Sequence, residues 1–193
     1  MILIINCGSQ KTPYIEQAVD LQMDYKTIGL WDAKSDSLGD AIGIIISGAP
    51  ILVTEVDNIP YIEQLAWILN AKVPIFGICF GHQILGIMHG ASPSIQKEDR
   101  DWQTIESIED HPIFNKLPTE FEMVEDHCES ISIPRGFKLL AVSDACINEA
   151  MYHTSKPWCG VQFHPEVSGN MGTTILENFV DICVKHAASK TNN

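Results

Sequence analysis

Of the six cysteines, at positions 7, 79, 128, 146, 159 and 183, one has the surroundings of a nucleophile. Gly77-Ile78-Cys79-Phe80-Gly81 closes the apolar run Val73 to Ile78 and opens an apolar-periodic helix from Phe80 to Met88. A sharp strand-to-helix turn holds its nucleophile in a strained backbone conformation and pushes the side chain out at the carboxyl end of the strand. The flanking glycines leave room for neighbouring chain to come close. At the helix N-terminus the sulfur also feels the positive end of the macrodipole, which favours thiolate. The Phe80 N–H precedes the intrahelical ladder and is free to donate to an oxyanion. Taken alone, GxCxG equally describes a βα turn around a buried cysteine, so the chemistry requires a base.

The base is offered by Gly160-Val161-Gln162-Phe163-His164-Pro165-Glu166. A residue before proline is pushed to extended geometry, and extended residues two apart project the same way. His164 and Glu166 then suit a base and its orienting carboxylate: His164 takes the thiol proton, and Glu166 fixes the imidazole tautomer and stabilises its charged form. By itself HPE reads equally as a surface turn. A third element, Ser47-Gly48-Ala49-Pro50, follows the apolar run Ile42 to Ser47. It puts a turn beside the elbow whose backbone could supply a second oxyanion donor, or which simply ends a strand. Gln83 lies one helical turn beyond Cys79, on the same face. His82 reads as a helix-surface histidine with no carboxylate or further thiol close in sequence, Ile87 and Met88 as core, and Cys7 and Cys159 as buried, inert strand residues.

These residues need a scaffold, and the first half supplies one by alternating short apolar runs with helical patterns. Ile2 to Ile5 precedes Pro13 to Leu21, Ile42 to Ile46 precedes Ile59 to Asn70, and Val73 to Ile78 precedes the Cys79 helix, which predicts a parallel sheet flanked by helices. Period-2 stretches at Thr104 to Ile108, Phe121 to Val124, Lys138 to Val142, Ile147 to Tyr152 and Cys159 to Phe163 predict further strands, partly antiparallel, as an additional small sheet. A last amphipathic helix is expected from Gly172 to His186. The whole reads as one domain over residues 1–188 with a frayed tail at 189–193. The charged segment Lys97 to Trp102 reads as a solvated loop.

With 12 Lys and Arg against 25 Asp and Glu, a formal charge of -13 argues against nucleic acid or an anionic membrane as partner. No run approaches a membrane span, and the start MILIINCGSQ reads as a first strand rather than a signal peptide, so a cytoplasmic protein is expected. No CxxC pair or short-spaced Cys/His cluster marks a zinc site, and no phosphate-binding loop or dinucleotide fingerprint is present, so neither a metal nor a cofactor is expected on this chain.

GICFGHQ at 77–83, SGAP at 47–50 and VQFHPEV at 161–167, in that order and spacing, resemble the class I, triad-type glutamine amidotransferases. The resemblance covers almost the whole chain and implies a flavodoxin-like α/β fold. It implies Cys79 as nucleophile, His164 as base, Glu166 as its orienter, the Gly48 and Phe80 amides as oxyanion hole, and Gln83 and His127 as contacts to the substrate L-glutamine. Gly8-Ser9-Gln10, the stretch at 134–144 and Asn148 to His153 make the chain most similar to the branch of free-standing glutaminase subunits that serve a GMP synthetase. That branch implies, as partner, a separate synthetase subunit that holds ATP and magnesium and aminates xanthosine monophosphate. Two departures stand out. The oxyanion loop of the family usually reads SGGP, where this chain has Ala49, so a peptide flip needing a glycine-like conformation is hindered and the hole is expected to depend on a docked partner. In Glu125 to Ser130 only His127 matches the corresponding loop. Two other destinations remain open for the same fold: a stand-alone γ-glutamyl hydrolase, and a catalytically weak regulatory module.

Overall fold

The computed structural model describes residues 1–191, apart from the side chain of Thr191. Strands β1 (Ile2–Asn6), β2 (Tyr25–Gly29), β3 (Gly43–Ile46), β4 (Ile75–Ile78) and β9 (Trp158–Val161) run parallel in the order β2-β1-β3-β4-β9. Strands β8 (Ala150–His153), β7 (Phe137–Val142), β5 (Pro93–Ser107) and β6 (Glu120–Ile131) continue outward from β9, each antiparallel to its neighbour. The expected α/β architecture is therefore present, and the antiparallel strands extend the parallel set as one nine-stranded mixed sheet instead of standing apart as a second one.

Strand side chains alternate between two cores, as period 2 requires of strands buried on both faces. Ile2, Ile4, Ile45, Phe76 and Ile78 enter one core, where Ile15 and Val19 of α1 (Thr12–Asp20) and Ile175, Leu176 and Phe179 of α4 (Gly169–Thr191) meet them. Leu3, Ile5, Ile44, Ile46 and Ile75 enter the other, against Leu65 of α2 (Ile59–Leu65) and Phe80, Ile84 and Leu85 of α3 (Phe80–Ile87). The result is a three-layer stack whose strand order reverses between β1 and β3, the switch point where open α/β sheets bind ligands at their carboxyl ends. All six cysteines are free, and Cys7 and Cys159 are buried strand-end and strand residues as expected.

Several boundaries differ from expectation, and three of the differences have a plain physical cause. β2 was not marked by the apolar pattern, because at the sheet edge it is only half buried and its sequence YKTIG carries little periodicity. The segment Lys97 to Trp102 lies inside β5: it pairs with β6 across a register shift between Ile95 and Asp99, so its charges are those of an exposed hairpin rather than a loop. Helix α4 begins at Gly169 and continues through Thr191, past the end expected at His186; the last two residues of the expected tail, 192 and 193, lie outside the described residues.

Candidate active site

Cys79 ends β4 with φ 50 and ψ -107, one of three non-glycine residues with positive φ among those described. Its neighbours explain how that backbone is held. A Cβ at Gly77 would overlap the Gly81 carbonyl, and one at Gly81 would overlap the carbonyl of Ile46 on β3, so both glycines are required by close packing of strand on helix. The Cys79 N–H is anchored on the Val161 carbonyl at 2.8 Å, and the first helical bond runs from the Gln83 N–H to the Cys79 carbonyl at 2.9 Å. The elbow read from GxCxG is thus a strained turn fixed on three sides.

His164 follows β9. Its N–H donates to the Val124 carbonyl at 2.9 Å, and its carbonyl accepts from the Ser168 hydroxyl at 2.6 Å. Ser168 Oγ in turn accepts from the Val124 N–H at 2.9 Å. The imidazole Nδ1 lies 2.8 Å from Glu166 Oε1, with the carboxylate fully buried. Burial alone would lower the imidazole pKa. The charge and hydrogen bonding of Cys79, followed by those of Glu166, outweigh it and push His164 up to about 10. Cys79 and His164 border one and the same hollow, as a nucleophile and its base must.

Gly48 completes the arrangement. A Cβ placed on it would stand 3.3 Å from His164 Cε1 and 3.6 Å from Cys79 Cβ, so the Gly48 backbone borders the reacting sulfur directly. The Ser47 hydroxyl accepts from the Cys7 N–H at 2.9 Å and donates to the Gly48 carbonyl at 2.9 Å, fixing the loop. Neither Gly48 nor Ala49 is among the residues with positive φ, so the resting loop has a backbone that alanine adopts without strain.

Two hollows meet at Cys79. One of about 410 Å³ is bordered by Gly8, Ser9, Lys11, Ala49, Asp126 and His164. The other, of about 330 Å³, is bordered by Pro50, Leu52, Gln83, Arg100, His127 and Glu129, among others. Between them stands Asp126, paired with Lys11 at 2.6 Å and with Arg100. Burial would raise the Asp126 carboxyl, but Lys11 and Arg100 hold it below its ordinary range.

The structure brings Cys79, His164, Glu166, Gly48, Phe80 and Gln83 together, with qualifications for the binding residues. The Gln83 side-chain amide donates to Gln162 Oε1 at 3.0 Å, and Gln162 Nε2 reaches to 3.6 Å of the Cys79 sulfur. Gln162 therefore belongs to the site although no motif singled it out. Its signal was its place between strand β9 and the HPE turn. His127, expected to contact substrate, directs its nitrogens elsewhere: Nδ1 lies 2.8 Å from the Glu129 carbonyl and Nε2 lies 3.2 Å from Glu125 Oε2. β6 alternates there, which turns His127 inward and leaves Asp126 and Cys128 on the side of the hollow. His82, expected on the surface, is fully buried under Gly160, and burial pushes its pKa down to about 3. Lys11, Asp126 and Arg100 are further neighbours without a sequence signal, since each reaches the site from an element distant in sequence; Ser168 lies just past the HPE turn, and its link to Val124 appears only where β6 meets that turn.

A family model described as glutamine amidotransferase class-I matches residues 3–183. A glutamine-hydrolyzing GMP synthase subunit of Methanocaldococcus jannaschii is 34% identical over 191 residues, covering 95% of this chain and 97% of that protein. The corresponding GMP synthase subunit of Methanosarcina barkeri is 35% identical over 190 residues, covering 96% and 97%. Among solved structures, a Thermoplasma acidophilum protein provisionally described as the same GMP synthase subunit superposes with a TM-score of 0.90 at 28% identity, over 98% of this chain and 96% of that one.

Proposed function

The chain belongs to the class-I glutamine amidotransferases, and from that premise we propose that it is the glutaminase subunit of a two-protein GMP synthetase. It hydrolyses L-glutamine to glutamate and ammonia, and the ammonia serves a separate ATP-using subunit that aminates xanthosine monophosphate. The observation that carries the catalytic half of this reading is the strained Cys79 elbow facing a His164 that is itself oriented by Glu166 at 2.8 Å. The partner half rests on relatives of the same length that are named as one subunit of a glutamine-hydrolyzing GMP synthase. ATP and magnesium belong to the partner on this reading.

Catalysis follows from the geometry. His164 takes the Cys79 proton, and the sulfur attacks the amide carbon of glutamine. The oxyanion forms against the N–H groups of Phe80 and Gly48, and His164 returns the proton to departing ammonia, leaving a thioester. Water activated by His164 then releases glutamate. Glu166 holds the ring in its orientation throughout. Gln83 borders one hollow and Gln162 Nε2 lies 3.6 Å from the sulfur, and on this reading Lys11, Asp126 and Arg100, which border the two hollows, receive the charged end of glutamine. Six unpaired cysteines support a cytosolic location, and among the described residues no helix is long and apolar enough to cross a membrane.

The test is release of ammonia and glutamate from L-glutamine by the purified chain, alone and with the ATP-binding subunit of GMP synthetase, ATP, magnesium and xanthosine monophosphate. Stimulated glutaminase with GMP formed is the expected result. Unstimulated turnover together with brisk cleavage of γ-glutamyl peptides would replace this reading with a stand-alone hydrolase, and no turnover in either assay would replace it with a regulatory module.

A further inference from the structure

Along β6 the inward-facing positions change character. Phe121 and Met123 are followed by Glu125, His127 and Glu129, every one more than nine-tenths buried. Such polar residues are buried only when paired or when they coordinate a metal. Glu129 is accounted for, since its carboxylate accepts from the N–H groups of Val53 and Thr54 at 2.8 Å each. Glu125 and His127 find only each other and Glu149: His127 Nε2 lies 3.2 Å from Glu125 Oε2, and neither atom is satisfied by a well-formed hydrogen bond. Facing them, from the connection between β7 and β8, come Cys146 and Glu149, at most 1% exposed. Glu149 Oε2 also lacks a partner.

The donor atoms converge. Those of His127, Cys146 and Glu149 lie within 4.8 Å of one another. Each of the two oriented ligands is held by its other atom. His127 Nδ1 is engaged by the Glu129 carbonyl at 2.8 Å, which leaves Nε2 with the lone pair, and Glu149 Oε1 accepts from the Ser143 hydroxyl at 2.7 Å. A carbonyl behind the imidazole and a hydroxyl behind the carboxylate are the outer partners that metal ligands carry. We propose that His127 Nε2, Cys146 Sγ and Glu149 bind a divalent cation, zinc by the softness of a thiolate, imidazole and carboxylate set, with Glu125 beside them to fill the fourth position.

Binding forms the metal–sulfur bond with loss of the thiol proton to solvent. The way in would be a surface hollow bordered by Asp99, Gln103, Asp144 and Ala145, with Lys97, Glu98 and Arg100 also on its rim. Asp99 pairs with His127 in the β5–β6 register and keeps a buried, unpartnered Oδ2, while Ala145 precedes Cys146. Spacing could not show this site, because its ligands come in two groups, 125 and 127 against 146 and 149, brought together only by the antiparallel half of the sheet. The bound ion would tie β6 to the β7–β8 connection behind the hollow that contains Gln83 and Cys79. The inference does not depend on the glutaminase reading, since its test reads metal and not turnover.

The experiment uses the full, untagged chain produced in zinc-supplemented medium, dialysed and assayed for metal by mass spectrometry, then stripped and titrated with cobalt(II). About one zinc per chain is expected, with intense tetrahedral visible bands and a near-ultraviolet thiolate-to-cobalt transition in the cobalt form. Cys146→Ser loses that transition, and Ser143→Ala, which removes no ligand, weakens zinc about 10–100-fold. A wild-type chain with neither zinc nor the thiolate band overturns the proposal. So does a band that survives Cys146→Ser, which would place the metal on another thiol. Should Cys146→Ser fail to fold, unchanged zinc affinity in both Ser143→Ala and Glu149→Gln overturns it as well.

Discussion

Two residues decide how this site behaves at rest, Cys79 and Ala49. The His164 ring is nearly enclosed, and its burial opposes protonation, yet the ring is pushed up to about 10 because Cys79 and then Glu166 favour the imidazolium. A folded-state pKa above the ordinary histidine value of roughly 6.5 means that the ring contributes stability fully below that value and loses the contribution as pH rises through about 10. Replacing Cys79 with Ala removes the foremost of the raising influences. The His164 resonance in an NMR titration is therefore expected to move to a markedly lower midpoint, while glutamine turnover falls by about 10⁴-fold or more. An unchanged midpoint would separate the ring from the sulfur, and retained turnover would remove Cys79 as nucleophile. Ala49 bears instead on the turn whose Gly48 amide is proposed as an oxyanion donor. The resting loop has no positive φ at 48 or 49, and a peptide flip that carries residue 49 into the left-handed region costs alanine about 1–2 kcal/mol that glycine is spared. Ala49→Gly is thus expected to raise the basal glutaminase rate of the isolated chain about 5–30-fold. A rate that stays level or falls would show that this residue does not restrict the loop.

At the scale of elements, the site is a junction of strand ends, and the junction tolerates no added atoms. Gly81 of α3 lies against the backbone of Ile46 on β3, so a methyl group there must push the helix off the sheet and tilt the elbow. Gly81→Ala is expected to cost about 1–3 kcal/mol of stability in urea unfolding and to lose turnover with it; an unperturbed midpoint would contradict the packing. This dependence on neighbours explains what the sequence disclosed. The elbow, the HPE turn and the SGAP turn were legible because each is a local backbone problem solved within a few residues: glycines where chains touch, proline after an extended histidine, a turn at a strand end. β1, β3 and β4 were legible for a similar reason, being buried on both faces and so almost wholly apolar. β2 was hidden by its half-exposed edge position, and Lys97 to Trp102 by charges that, Asp99 apart, face solvent from a paired strand. His82 was misplaced because its polarity suggested surface, whereas the close approach of Gly160 encloses it. Ser168 and Asp126 carry no local signal, since their roles exist only once β6, β9 and α4 meet.

For the molecule as a whole the question is whether two kinds of sheet make two folding units. The parallel half is held by helices on both faces, and the antiparallel half ends in the β5–β6 hairpin, which exposes Ile95 and Trp102. Three links argue for one unit over the residues expected as a single domain. β9 bonds to β4 on one side and to β8 on the other, so the sheet is continuous. The core beneath α4 runs without interruption from Ile2 and Phe76 to Met123 and Leu140. Glu129 on β6 receives the Val53 and Thr54 N–H groups from the connection that follows the oxyanion loop. Losing either half would expose the core face of the other and strip His164 of its Val124 anchor. A chain retaining only Trp158, at the centre of the sheet, and one retaining only Trp102, on the hairpin, are therefore expected to report coincident urea transitions, each coincident with loss of helical circular dichroism. An earlier transition at Trp102 alone would show that the hairpin opens independently, and the wall that β6 contributes to the hollow at Cys79 would then belong to the least stable part of the protein.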